Sequence, residues 1–162
     1  VLEFGDSRYK SFFPLAQKHE VVDIEYHDGV DYVDDIQAGS ELPDLYFEAI
    51  VCTQVLEHIQ DPAKALRVVC KKLRKKGVLY ITVPFTNQVH GVPCDYWRFT
   101  EDALRMLLRE SGFEIKYISS FGNAFVSIGS LLGMCAEEFS EKELMAKTDS
   151  YPYLILAKAV KV

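Results

Sequence analysis

The run from Tyr46 to Thr53, YFEAIVCT, carries the tightest constraint in this chain, because it is apolar at nearly every position. A strand with one wet face alternates apolar and polar side chains. A strand buried on both faces does not, and that pattern belongs to parallel sheets. Asp61-Pro62 then opens a helix, with Asp61 at the N-cap and Pro62 at the first helical position. Leu66, Val69, Cys70 and Leu73 follow at helical spacing. Val78 to Val83, VLYITV, is a second buried run. Strand, helix and strand in this order close as a right-handed parallel crossover.

The same alternation extends in both directions. Val1 to Gly5 reads as a short buried strand, Ser7 to Lys18 as a helix, Val21 to Ile24 as a strand and Tyr32-Val33 as a weak one. Lys71, Lys72, Arg74, Lys75 and Lys76 read as the solvated end of the helix opened at Pro62, opposing its dipole, with Gly77 as C-cap. The competing reading of this basic run, a nucleic-acid patch, is disfavoured by the net charge of −6. Thr100 to Ser111 is a helix capped by Thr100 and closed by Gly112. Phe113 to Ser119 and Tyr153 to Ala159 are further strands, with a helical insertion between them at about 121–147. That insertion replaces a simple crossover, so the last strand is expected antiparallel. The expected fold is α/β: a Rossmann-like, mostly parallel sheet with an antiparallel last strand and helices on both faces, forming a single domain over 1–162.

At 49% hydrophobic and 26% charged residues, the composition suits a globular protein with one core. Cys52, Cys70, Cys94 and Cys135 show neither metal-ligand spacing nor a disulfide frame, so reduced thiols and a cytoplasmic location are expected. No apolar run has the length of a membrane span and no signal peptide is evident. The start at Val1-Leu2, directly inside a strand, leads us to expect residues upstream of it.

In a sheet of this kind the ligand sits outside the carboxyl ends of the strands. Gly5 follows the first strand and allows a tight turn against a ligand. The later glycines of a dinucleotide fingerprint are replaced by Ser7 and Lys10, which argues against an NAD oxidoreductase. Asp23 ends the second strand, about 20 residues past the glycine, where a carboxylate can accept ribose hydroxyls. Asp35 and Ile36 follow the third strand, and Ile36 could cover an adenine face. Thr53-Gln54-Val55-Leu56-Glu57-His58-Ile59 follows the fourth. His90-Gly91-Val92-Pro93-Cys94-Asp95-Tyr96-Trp97-Arg98-Phe99-Thr100 follows the fifth and gathers stacking and titratable groups in one loop, including the only Trp. The less favoured alternative is that Trp97 and Phe99 cover the core, with Arg98 paired to an acid.

The strings VLEFG, VVDI, TQVLEHI-DP, KKLRKKGVLYITVPF and HGVPCDYWRFT-EDALRMLLRESGF together resemble the class I S-adenosylmethionine-dependent methyltransferases, in particular the type 11 family. The resemblance runs from about Val1 to Ser119, with the closing strand near Tyr153. It implies a seven-stranded sheet and S-adenosylmethionine as cofactor. By position, it implies that Glu3, Gly5 and Ser7 form the cofactor turn, that Asp23 binds the ribose, that Asp35 and Ile36 flank the adenine, and that Thr53 and Gln54 lie near the methionine moiety. Ser7 departs from the usual G-x-G turn, and the family's N-terminal covering segment has no counterpart in these residues.

Methyl transfer from a sulfonium is an in-line displacement that asks mainly for alignment in a dry site. His90 is the first candidate for a general base and Asp95 the second, because an ordinary imidazole titrates near neutrality. Tyr96, Trp97 and Arg98 are the expected acceptor-side residues. The expected partner is a small-molecule acceptor, with no nucleic acid and no membrane. The alternative is a non-catalytic module that binds a ligand or partner on the same fold. Glu57-His58 invites comparison with Glu-x-x-Glu-His metal strings of some related enzymes, but Gln54 removes one carboxylate. Glu57 and His58 are therefore expected to hydrogen-bond locally, without a metal.

Overall fold

The computed structural model describes residues 1–91, 94–148 and 150–162. Seven strands form one sheet: β1 (Leu2–Phe4), β2 (Glu20–Asp23), β3 (Tyr32–Val33), β4 (Phe47–Thr53), β5 (Leu73–Pro84), β6 (Phe113–Phe121) and β7 (Leu154–Lys161). Their order is β3-β2-β1-β4-β5-β7-β6. Pairings from β3 to β5 are parallel, while β7 lies antiparallel between β5 and β6. The mostly parallel sheet with its antiparallel last strand is the one expected from the alternation.

The central runs explain themselves by burial. In β4, Ile50, Val51 and Cys52 are all buried, so adjacent residues on opposite faces are both covered. Along β5, Leu79, Ile81 and Val83 point into the core, where Leu66 and Val69 of α1 (Pro62–Lys72) and Leu104 and Leu108 of α2 (Glu101–Glu110) meet them. Asp61 and Thr100 cap these helices, accepting hydrogen bonds from the Lys64 and Ala103 amides at 2.9 and 3.1 Å. Gly112 closes α2 at φ +91°. Between β6 and β7 come α3 (Ala124–Leu131), a 3₁₀ turn and the short α4 (Glu141–Met145). No helix of the described residues is long and apolar enough to cross a membrane.

Two expectations give way. Ser7 to Lys18 is not a helix: only a 3₁₀ turn forms, at Lys10–Phe12. Pro14 lacks an amide donor, and Phe12 and Leu15 are left largely exposed. Phe13 instead turns its ring edge-on to Tyr80, with centroids 5.9 Å apart. The second correction concerns the basic run. Helix α1 ends at Lys72, and Arg74, Lys75, Lys76 and Gly77 belong to β5. Lys72 is drawn inward, donating to the Leu42 carbonyl and the Asp44 carboxylate, both at 2.7 Å. Leu73, fully buried, starts the strand by pairing with Phe47. The left-handed residue here is Lys76, at φ 62°, and not Gly77.

Candidate functional site

A cavity of about 420 Å³ opens at the carboxyl ends of β1, β2 and β4. This is the size of an ordinary small-ligand pocket. Gly5, at φ +92°, makes the first turn, and no atom beyond its chain neighbours lies within 4 Å of where its Cβ would stand. The left-handed backbone and the open space together leave the turn accessible to a ligand. Asp23, Asp35, Ile36, Thr53 and Gln54 line the cavity as expected from the sequence. Gln54 adopts φ 53°, unusual for a residue with a Cβ, and is held there by two bonds to Thr82: amide to carbonyl and Nε2 to Oγ1, both at 3.1 Å. One Asp35 oxygen is taken by the Gln37 amide at 2.7 Å.

Glu3 and Ser7 are not among the lining residues. Glu3 is buried beneath the turn, where it accepts the Tyr9 amide at 3.2 Å and stands 2.6 Å from Nε2 of His19. It shapes the turn rather than the cavity wall. Asp6, Arg8 and Tyr9 line the wall in their place, with Arg8 and Asp6 paired at 2.7 Å. The sequence carried no signal for Tyr9, since its segment read as helix. Asp34, also lining, holds the following loop through the amides of Ser40, Glu41 and Leu42.

His58 and Ile59 line the same cavity and connect it to the loop after β5. The Nδ1 of His58 donates to the Cys94 carbonyl at 2.6 Å, and the indole of Trp97 donates to the Ile59 carbonyl at 2.8 Å. The Tyr96 amide donates to the Glu57 carbonyl at 2.8 Å. Val92 and Pro93 of this loop lie outside the described residues. Tyr96 and Trp97 are each less than half exposed. Arg98 spends its donors inside the loop, on the Asp95 carboxylate and on the Asn87, Gln88 and Trp97 carbonyls. This guanidinium holds the Asp95 carboxyl far below the usual carboxylate range.

His90 sits between two acids. Its Nδ1 is 3.1 Å from the Gln88 carbonyl and 3.5 Å from Asp95, and its Nε2 is 3.5 Å from Oε1 of Glu57. Glu57 departs from expectation. Its side chain is fully buried, and neither carboxylate oxygen has a hydrogen-bond partner. Burial, the largest influence, pushes its pKa up, partly offset by the neighbouring histidines. Glu57, His58 and His90 thus form one cluster whose ligand atoms lie within 4.8 Å of one another. Local hydrogen bonding accounts for His58 but not for the Glu57 carboxylate.

Comparison with known proteins gives this geometry a family. Residues 6–118 match the model of a methyltransferase domain. An S-adenosylmethionine dependent methyltransferase from Mesorhizobium loti superposes with TM-score 0.67 at 16% identity, covering 99% of this chain and 90% of that one. The 1,6-didemethyltoxoflavin-N1-methyltransferase of Burkholderia thailandensis, with bound 1,6-didemethyltoxoflavin and S-adenosylhomocysteine, gives 0.67 at 14% identity, covering 99% and 71%. In sequence, the polyketide synthase ThaQ of Burkholderia thailandensis is 33% identical over 85 residues, which is 41% of this chain and 4% of that protein. The chain therefore spans only a small part of that relative. Matched to the model over more than half of its length, the chain belongs to the methyltransferase domain family.

Proposed function

We infer that this domain methylates a small-molecule acceptor bound between the cofactor cavity and the His90–Trp97 loop. One observation carries the reading: His58 lines the cavity and is bonded to the loop at Cys94, so the two sites share a wall. The methyltransferase neighbour with bound 1,6-didemethyltoxoflavin supports it.

S-adenosylmethionine supplies, when bound, a methyl group activated on a sulfonium. The chain's own residues have the remaining tasks. Gly5 lets the ligand approach the backbone, Asp23 accepts hydroxyl hydrogens, and Ile36 offers an apolar face. Gln54, fixed by Thr82, sets the floor next to the reacting end. Tyr96 and Trp97 form the acceptor wall. His90 is the acceptor-side group at which the acceptor's proton is handled. Asp95 and Arg98 position it: the His90 amide donates to Asp95 at 3.0 Å. With its charge committed to Arg98, Asp95 is a poor base in its own right.

The test separates acceptor from cofactor. His90→Ala is expected to lower turnover about 100-fold, the ordinary contribution of acid–base help, across a panel of hydroxyl and amine acceptors. S-adenosylhomocysteine affinity by calorimetry should stay within about twofold of the parent, since His90 is outside the cavity wall. Parent-like turnover would remove His90 from the reaction. A parent chain that binds S-adenosylhomocysteine but methylates nothing in the panel would favour the non-catalytic module.

A further inference from the structure

We propose that Glu57, His58 and His90 form a binding site for a first-row divalent transition ion of the zinc type, with coordination positions left open toward the acceptor. The proposal rests on the preceding reading only in placing the acceptor on this side of the cavity.

The argument starts from where the protons are. A backbone carbonyl only accepts, so the Nδ1 of His58 bonded to the Cys94 carbonyl must carry the hydrogen. The Nδ1 of His90, facing the Gln88 carbonyl and the Asp95 carboxylate, must carry its hydrogen too. Each neutral imidazole then presents a bare lone pair at Nε2. Those two nitrogens stand 3.9 and 3.5 Å from the same oxygen, Oε1 of Glu57. Three electron-rich atoms converge with no donor among them, and the carboxylate is fully buried with neither oxygen hydrogen-bonded. An uncompensated buried charge is costly, and a cation at the centre removes that cost.

The spacing fits an ion. Two ligands each about 2.1 Å from a tetrahedral centre stand about 3.4 Å apart. The two histidine nitrogens stand 3.5 and 3.9 Å from the Glu57 oxygen, near this value, and all three ligand atoms lie within 4.8 Å of one another. Both imidazoles already have the carbonyl partner on the opposite nitrogen that ligating histidines usually have. Two nitrogens and one carboxylate favour zinc, manganese, iron or cobalt over magnesium, which prefers an all-oxygen shell. Three protein ligands leave the remaining positions for water or an acceptor heteroatom. A hydroxyl or amine ligated there would have its pKa lowered and would lose its proton to solvent; its heteroatom would then bond the methyl carbon as the sulfur–methyl bond of S-adenosylmethionine breaks and S-adenosylhomocysteine leaves. With the ion bound, both ring nitrogens of His90 are engaged, so His90 is a ligand in place of a proton acceptor, and its loss slows turnover by removing the ion.

The experiment is calorimetric titration of chelator-treated protein with Zn²⁺, and separately with Mg²⁺. We expect one saturable Zn²⁺ site per chain and Mg²⁺ binding at least 100-fold weaker. Glu57→Gln and His90→Ala should each weaken Zn²⁺ binding at least tenfold, with folding of both checked by thermal unfolding. Cys94→Ser, which removes a nearby thiol but keeps the backbone carbonyl that His58 bonds, should leave it unchanged. Absence of saturable uptake by the parent overturns the proposal. So does uptake that survives in Glu57→Gln and His90→Ala, or that disappears in Cys94→Ser, since the ion would then sit elsewhere. S-adenosylhomocysteine binding without Zn²⁺ uptake sinks the ion alone. Zn²⁺ uptake without S-adenosylhomocysteine binding sinks the methyl-transfer reading alone.

Discussion

Arg98 holds Asp95 through both carboxylate oxygens, Nη1 to Oδ1 at 2.5 Å and Nη2 to Oδ2 at 2.8 Å. The Asp95 side chain is 3% exposed and the Arg98 side chain 27%. Such a fork-to-fork pair is stronger and more directional than a point-charge contact. Here it closes the loop on itself, because the same guanidinium also collects the Asn87 and Gln88 carbonyls.

Removing the guanidinium should therefore destabilise the fold. Arg98→Met leaves a buried carboxylate without its partner and is expected to cost about 2–4 kcal/mol in urea unfolding at neutral pH, discounted for the partial exposure of Arg98. Arg98→Lys, which keeps the charge but loses the fork, should fall between variant and parent. The depressed Asp95 pKa means that this contribution is present above the ordinary carboxylate pKa and is lost only as pH falls through the lower folded value. An Arg98→Met variant as stable as the parent would show that the pair is ornamental.

Asp23 is the cavity carboxylate whose substitution should report on the cofactor. It stands at the end of β2, half-buried, and its Oδ1 accepts the Glu25 amide at 3.1 Å. Replacing it with Ala removes charge-assisted contacts worth about 1.5–3 kcal/mol, or roughly a 10- to 150-fold loss of S-adenosylhomocysteine affinity. Unchanged affinity by calorimetry would take Asp23 out of the site.

Glu57 makes the pH dependence of the metal-free protein unusual. Its folded pKa is raised by burial, so the folded state holds the proton more tightly than the unfolded chain does. Stability from this group is present below the unfolded value of about 4.3 and is lost as pH rises through the folded value. Glu57→Gln should abolish that loss. In chelator, it should match the parent near pH 4 and exceed it by about 1–3 kcal/mol at neutrality. A variant no more stable than the parent at neutral pH would mean that the carboxylate is satisfied by a neighbour.

The sheet was legible in the sequence because its determinants are local. YFEAIVCT lacks a polar face, Asp61 and Thr100 are capping residues at helix starts, and Gly112 supplies a left-handed closure. The wall formed by Asp23, Asp35, Ile36, Thr53 and Gln54 was legible as well, since each follows a strand and strand ends face the ligand in a parallel sheet. The segment from Ser7 to Lys18 was misread, because its apolar residues suggested a helix while Pro14 and the pull of Tyr80 on Phe13 decided otherwise. The end of α1 was misread because the Lys72 ammonium finds Leu42 and Asp44, partners far along the chain.

Sequence by itself thus determined the strand–helix alternation, the family and the residues that line the cavity. Only the tertiary structure decided that His58 and His90 would meet over an unpaired Glu57. Periodicity and capping act between neighbours, and they specify elements. The meeting of three side chains from two loops depends on the pairing of β4 with β5 and on the Arg98–Asp95 clasp that folds the second loop back, and no local pattern encodes either.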